Sequence, residues 1–157
     1  MNDPEKRSQQ ADRLIRDYAF GSSLTGFIPV PLVDTLSLIG VQRYMLFRLS
    51  RLYKVPFKKN IAKIALTTMT SGLTASAARP MVGSMLKLIP GVGSVLGGAS
   101  MAVLGSAATY AVGKVFQQHF ENGGTLEDFD PQQARQQFET ELEKGKEIAK
   151  KEKAQRN

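Results

Sequence analysis

No acidic residue occurs between Asp34 and Glu121. The 86 residues from Thr35 to Phe120 carry ten bases (Arg43, Arg48, Arg51, Lys54, Lys58, Lys59, Lys63, Arg79, Lys87 and Lys114) and nearly all the long apolar runs. The formal charge of +7 therefore divides into +10 in this segment, −1 over residues 1–34 and −2 over residues 121–157. A globular surface usually mixes both signs. One-signed charge joined to uncharged Gly/Ala/Ser-rich segments points to a partner that is anionic and partly apolar. An anionic membrane fits that description first and nucleic acid second.

The chain has 157 residues, 42% of them apolar. That is one domain's length with enough apolar side chain for a core, which excludes global disorder. Three parts are expected: a polar N-terminal helix over 1–20, a basic, acid-free helical core with an apolar hairpin over 21–121, and a polar C-terminal helix with a mobile tail over 122–157. Cysteine is absent, which excludes disulfides and thiolate sites. Met1–Arg7 has no apolar run, so no secretory signal is expected, and the polar ends are expected to face the cytoplasm.

Periodicity predicts an all-α bundle. Ala11, Leu14, Ile15 and Tyr18 have helical spacing, with residues 1–9 frayed before them. Pro29 and Pro31 impose an extended connector. A second helix over 32–54 places Leu38, Val41, Met45, Leu49 and Leu52 on one face, with Arg43, Arg51, Lys54, Ser50 and Phe47 opposite. Asp34 and Gln42 fall on the apolar face and are expected to make interhelical hydrogen bonds. A third helix over 57–78 stops at Arg79-Pro80, a short one follows over 81–88, and a long one runs from Ser94 to Phe120. Asp130-Pro131 is a cap-plus-first-turn signature for the last helix. Its thin stripe of Ala134, Phe138, Leu142, Gly145 and Ala149 leaves it free to dock a partner.

Leu88 to Gly113 carries no charge. Ser94–Gly113 as a helix is about 30 Å long, close to a bilayer's hydrocarbon thickness. The partner segment, Ile64–Ala78, is short for a span. Three placements stay open: a soluble core, a hairpin that dips into the bilayer, and a hairpin that crosses it. Gly93, Gly97, Met101, Gly105, Thr109 and Gly113 recur at four-residue spacing; apart from Met101 they follow the small-residue pattern of close helix packing, and suggest hairpin packing or self-association into a homo-oligomer. Each step drifts about 40°, so only two or three can share one crossing.

The chemical motifs are thin. Gly91-Val92-Gly93 through Gly97 outlines a dinucleotide loop but lacks the preceding strand and the ribose-binding acid. Gly113-Lys114 lacks the other residues of a P-loop. His119 is the only histidine, so no histidine-based metal cluster is available. Glu127-Asp128-Phe129-Asp130 lacks the alternation of a calcium loop and suits capping. No catalytic residue, metal ligand or cofactor is expected. The aromatics Tyr44, Phe47, Tyr53 and Phe57 among the bases would suit nucleic acid, but several are expected inside the bundle.

Taken in order, Pro29-Val30-Pro31 with Asp34, Gln42 followed by Met45, Ile89-Pro90-Gly91, and Thr109-Tyr110-Ala111 with Gly113 resemble the bacterial YcjF-type helical family. Its domain of unknown function often follows an Era-like GTPase domain and also occurs alone. The resemblance covers about residues 20–130. It implies a helical domain with membrane-associated hairpin segments and a GTPase partner, and carries no catalytic residue onto this chain. These 157 residues hold no GTPase domain of their own, and Lys54 follows Tyr53 where the pattern has glycine. The combined expectation is a non-enzymatic scaffold or adaptor on the cytoplasmic side of the inner membrane. Arg43, Arg51, Lys54, Lys58, Lys59 and Lys63 would contact anionic lipid. The alternative is a soluble adaptor for an acidic protein surface or, less favoured, for nucleic acid.

Overall fold

Helix α4 (Val92–Glu121) is the axis of the molecule: at 30 residues it is about 45 Å long, and α1 (Pro4–Phe20), α2 (Thr35–Leu52) and α5 (Arg135–Arg156) pack against it. Helix α3 (Lys59–Gly83) lies mainly against α2 and touches α4 only sparsely. The computed structural model describes residues 3–20, 35–83 and 92–156, with side-chain surroundings given for 3–20, 38–71, 103–152 and 154–155. Every regular element among them is helical.

Helix directions follow from cross-helix pairs. Phe20 meets Tyr110, and Asp12 meets Lys114, so α1 runs antiparallel to α4. Gln42 reaches Thr109 while Tyr53 reaches Glu121, so α2 runs parallel to it. Gln137 bonds Gln118 and Gly145 packs on Ala107, which sets α5 antiparallel. The core lies between these helices, with Ile15, Met45, Leu46, Leu49, Leu66, Val112, Val115 and Phe116 essentially solvent-free. Each such side chain contributes roughly 1.5–3 kcal/mol by burial.

Several expectations change. The polar start of α1 is helical from Pro4 rather than frayed. Asp3 accepts from the Glu5 N–H at 3.1 Å, an N-cap with Pro4 in the first turn. Ser50, expected among the outward bases, is fully buried, so the buried face of α2 is Gln42, Met45, Leu46, Leu49 and Ser50. Contacts from α1, α3 and α4 widen the buried arc beyond a single stripe. Helix α3 continues through Arg79-Pro80 to Gly83, although a proline inside a helix removes one donor and ordinarily kinks or ends it. Asp130 accepts from the Gln132 N–H at 2.9 Å and caps a turn that leads into α5. The expected mobile tail is helical to Arg156.

The C-terminal helix is not free either. Phe138, Leu142, Gly145 and Ala149 are buried in its contact with α4, leaving only its charged side outward. The second half of α4 is thereby enclosed by α1, α2 and α5. No helix among the described residues is long and apolar enough to cross a membrane.

Candidate functional site

The fold partly remixes what the sequence segregates. Lys114 of the acid-free segment donates to Asp12 of α1 at 2.7 Å and to Gln117 Oε1 at 2.9 Å. Lys58 pairs with Glu127 in the α4–α5 loop. The Tyr53 hydroxyl donates to Glu121 at 2.7 Å, and Arg7 lies over the Tyr53 ring. Burial, then the Glu121 contact, push the Tyr53 phenol well above its ordinary range. Gln117, 2% exposed, closes this cluster by donating to Ser8 and Glu121. The chain's acidic ends thus neutralise part of the basic middle.

What they leave is concentrated on α2 and the start of α3. Arg43, Arg48, Arg51, Lys54, Lys59 and Lys63 are exposed, and none has a carboxylate partner among the described residues. Beside them lie the large exposed apolar side chains, Tyr44 at 55% and Ile64 at 65%. Rings run from α1 across α2 to the α2–α3 turn: Tyr18 to Tyr44 at 6.0 Å, Tyr44 to Phe47 at 6.1 Å, and Phe47 to Phe57 at 5.3 Å. Arg48 donates to the Tyr18 hydroxyl at 3.4 Å, and Arg51 sits over Phe47. An open cavity of about 800 Å³ lies between α1 and α2 along this strip. Arg13 and Arg48, both on it, were missed at sequence level. The available signal was Tyr44 and Arg48 four residues apart on one helical face.

The small-residue ridge of α4 meets several partners rather than one. A Cβ on Gly113 would stand 2.7 Å from the Ile15 side chain of α1. Thr109, 1% exposed, faces α2: its hydroxyl donates to the Gly105 carbonyl at 3.0 Å and accepts from Gln42 Nε2 at 3.4 Å. Gly145 of α5 approaches the Ala107 backbone so closely that a Cβ would lie 2.9 Å from it. The ridge drifts about 40° per four residues, and Ala107 lies off it, about 160° round the helix from Gly105 and Thr109. Gly93 and Gly97 belong to the first turns of α4, where side-chain surroundings fall outside the described residues, and Asp34 falls outside them altogether.

Two helix ends are closed by the same device. At α2, Lys54 takes a left-handed φ of 58°, Val55 N donates to Ser50 O at 2.8 Å, and Lys54 N donates to Arg51 O at 3.2 Å. At α4, Gly123 takes φ 86°, with Gly124 N on His119 O and Gly123 N on Phe120 O. Both are Schellman caps. The glycine expected where Lys54 stands would occupy that cap without strain. His119 Nε2 lies 2.8 Å from both the Thr125 carbonyl and Asp128 Oδ1, fastening the loop after α4. Among the described residues, no group of three or more His, Asp or Glu side chains is placed to hold a metal ion.

Residues 4–146 match the family model for a domain of unknown function, DUF697. Magnetosome membrane protein 22 of Magnetospirillum gryphiswaldense is 35% identical over 151 residues, which cover 96% of this chain and 77% of that protein. No solved structure matches the chain. The match across nearly the whole chain and the similarity to this relative make the chain a member of the DUF697 family.

Proposed function

We propose that this protein is a non-enzymatic, membrane-associated helical scaffold held at an anionic lipid surface by the outward faces of α2 and the start of α3. The observation that carries the reading is the set of exposed bases with no ion-pair partner among the described residues, Arg43, Arg48, Arg51, Lys54, Lys59 and Lys63, beside exposed Tyr44 and Ile64. Bases near an anionic leaflet contribute about 1 kcal/mol each at moderate salt. Aromatic rings and arginine stems suit the headgroup layer, where one end is apolar and the other wet. The 35% identity to a magnetosome membrane protein supports a membrane setting. The enclosed second half of α4 favours a peripheral hold over insertion of that helix. Lys58, committed to Glu127, contributes less than its neighbours.

The anionic surface in this reading is the cytoplasmic face of the inner membrane. The scaffold's partner would dock on the charged outer side of α5, where Glu139, Glu143, Glu147 and Lys150 are exposed. A GTPase is the partner class to try first, given the resemblance to chains that carry this domain after a GTPase domain. The test is co-sedimentation with anionic and neutral vesicles, using wild type and a variant carrying Arg43→Glu, Arg51→Glu, Lys59→Glu and Lys63→Glu. Wild type is expected to bind anionic vesicles alone, and the variant to stay in the supernatant. Equal binding by the two proteins rejects the reading, and no binding by wild type turns it toward a soluble adaptor.

A further inference from the structure

The cavity between α1 and α2 has a composition that a diffuse electrostatic hold does not need. Its volume of about 800 Å³ lies within the usual range of small-ligand sites. Arg13 enters from α1, and Arg48 and Arg51 from α2. Tyr18, Tyr44 and Phe47 form an aromatic wall between them. Among the described residues Arg13 has no ion-pair partner, Arg48 bonds the Tyr18 hydroxyl and is attracted by the Asp17 carboxylate, and Arg51 rests on a ring. These guanidinium groups therefore keep most of their donors unspent. One carboxylate, Asp17, shares the site. It leaves the lining with net positive charge and supplies an acceptor that a bare anion cannot use.

We propose that this cavity binds the headgroup of an anionic phospholipid whose phosphodiester also carries free hydroxyls, of the glycerol type. The arginines take the phosphate oxygens in forked hydrogen bonds. Asp17 accepts from the headgroup hydroxyls, and the aromatic wall covers the carbon skeleton where the acyl chains leave toward the membrane. The proposal rests on the membrane reading above and sharpens it from a charged surface to a lipid class. It differs in one respect that can be measured: a headgroup site binds single lipid molecules, whereas a charged face needs a surface.

The experiment titrates the intact chain with short-chain phosphatidylglycerol kept below its micelle concentration. Binding is followed by NMR at Tyr18 and Tyr44, with short-chain phosphatidylcholine and inorganic phosphate as separate arms. Saturable binding of phosphatidylglycerol, weaker by about tenfold or more in Arg13→Gln and in Arg48→Gln, is expected. Arg48→Lys keeps the charge but loses the fork, and is expected to fall between wild type and Arg48→Gln. Arg16→Gln, exposed on the same helix as Arg13 but off the cavity, is expected to bind as wild type does. Asp17→Asn is expected to erode the preference for phosphatidylglycerol over inorganic phosphate. Unchanged far-UV circular dichroism in each variant separates lost contacts from lost fold.

Equal affinity for phosphatidylcholine, equal affinity for inorganic phosphate, or indifference to Arg13→Gln and Arg48→Gln would each overturn the assignment. Vesicle binding without monomer binding would overturn the headgroup site and leave the surface reading standing. Monomer binding without vesicle binding would do the reverse.

Discussion

Lys114 on α4 places its ammonium 2.7 Å from the Asp12 carboxylate on α1, across 102 positions of chain, so an acid from the N-terminal part neutralises a base of the acid-free segment. The lysine is 21% exposed and the aspartate 44%. This geometry explains how so one-sided a segment can pack: the buried end of its charge is met by carboxylates from outside it.

Removing Asp12 leaves the half-buried ammonium with only Gln117. Asp12→Ala is expected to destabilise by about 1–2 kcal/mol, below the value for a fully buried pair because water reaches both partners. Lys114→Met should cost less, since an apolar stem replaces a charge that then needs no partner. Urea unfolding of both variants checks the order; a larger loss in Lys114→Met would contradict it.

Lys54 occupies a left-handed cap that suits glycine. Lys54→Gly should therefore stabilise by about 1 kcal/mol, because a Cβ in that conformation costs roughly 1–2 kcal/mol and glycine's greater unfolded freedom returns part of the gain. Lys54→Ala, which removes the same charge but keeps the Cβ, should give no such gain. Equal midpoints for the two in thermal unfolding would show that the cap is unstrained.

Glycines separate by what stands beside them. Gly113→Ala drives a methyl into fully buried Ile15 and should destabilise by about 1–3 kcal/mol despite alanine's better helix propensity. Gly145→Ala meets the Ala107 backbone, which has less room to yield. Gly40→Ala, on an exposed position of α2 with nothing within 4 Å, should instead stabilise by about 1 kcal/mol. Chemical denaturation of the three variants tests the signs. A double-mutant cycle of Gly113→Ala with Ile15→Ala should be non-additive.

Element order was legible because apolar spacing and Pro/Gly punctuation mark it directly. The position of Gln42 on an inward face was legible for the same reason. The inward turn of Ser50 was not, because a helical wheel records one stripe while α2 is packed from three sides. Helicity of the polar start of α1 comes from tertiary bonds at Ser8 and Asp12, although the Asp3-Pro4 signal resembles Asp130-Pro131 and could have been read. The cavity at Tyr18, Arg48 and Arg51 was invisible in sequence. Its two walls come from helices whose mutual position depends on how each packs on α4.

The Asp128 carboxyl is held below its ordinary range first by the Thr125 N–H and then by His119. A lowered folded-state pKa contributes stability that is fully present above the ordinary carboxylate value and is lost as pH falls through the lowered one. Asp128→Asn should therefore be less stable than wild type near neutrality, with the gap closing as pH falls below the ordinary value of 3.8. Thermal unfolding across that range measures it; a gap independent of pH would assign the effect to the loop's shape rather than its charge.

Sedimentation with vesicles followed by sequential washes separates the proposed peripheral, charge-held association from insertion. A peripheral hold gives binding to anionic but not neutral vesicles, release at high salt, and no fraction that survives an alkaline carbonate wash. Retention through both washes would contradict it, because α4 would then have left its packing against α1, α2 and α5 for the bilayer.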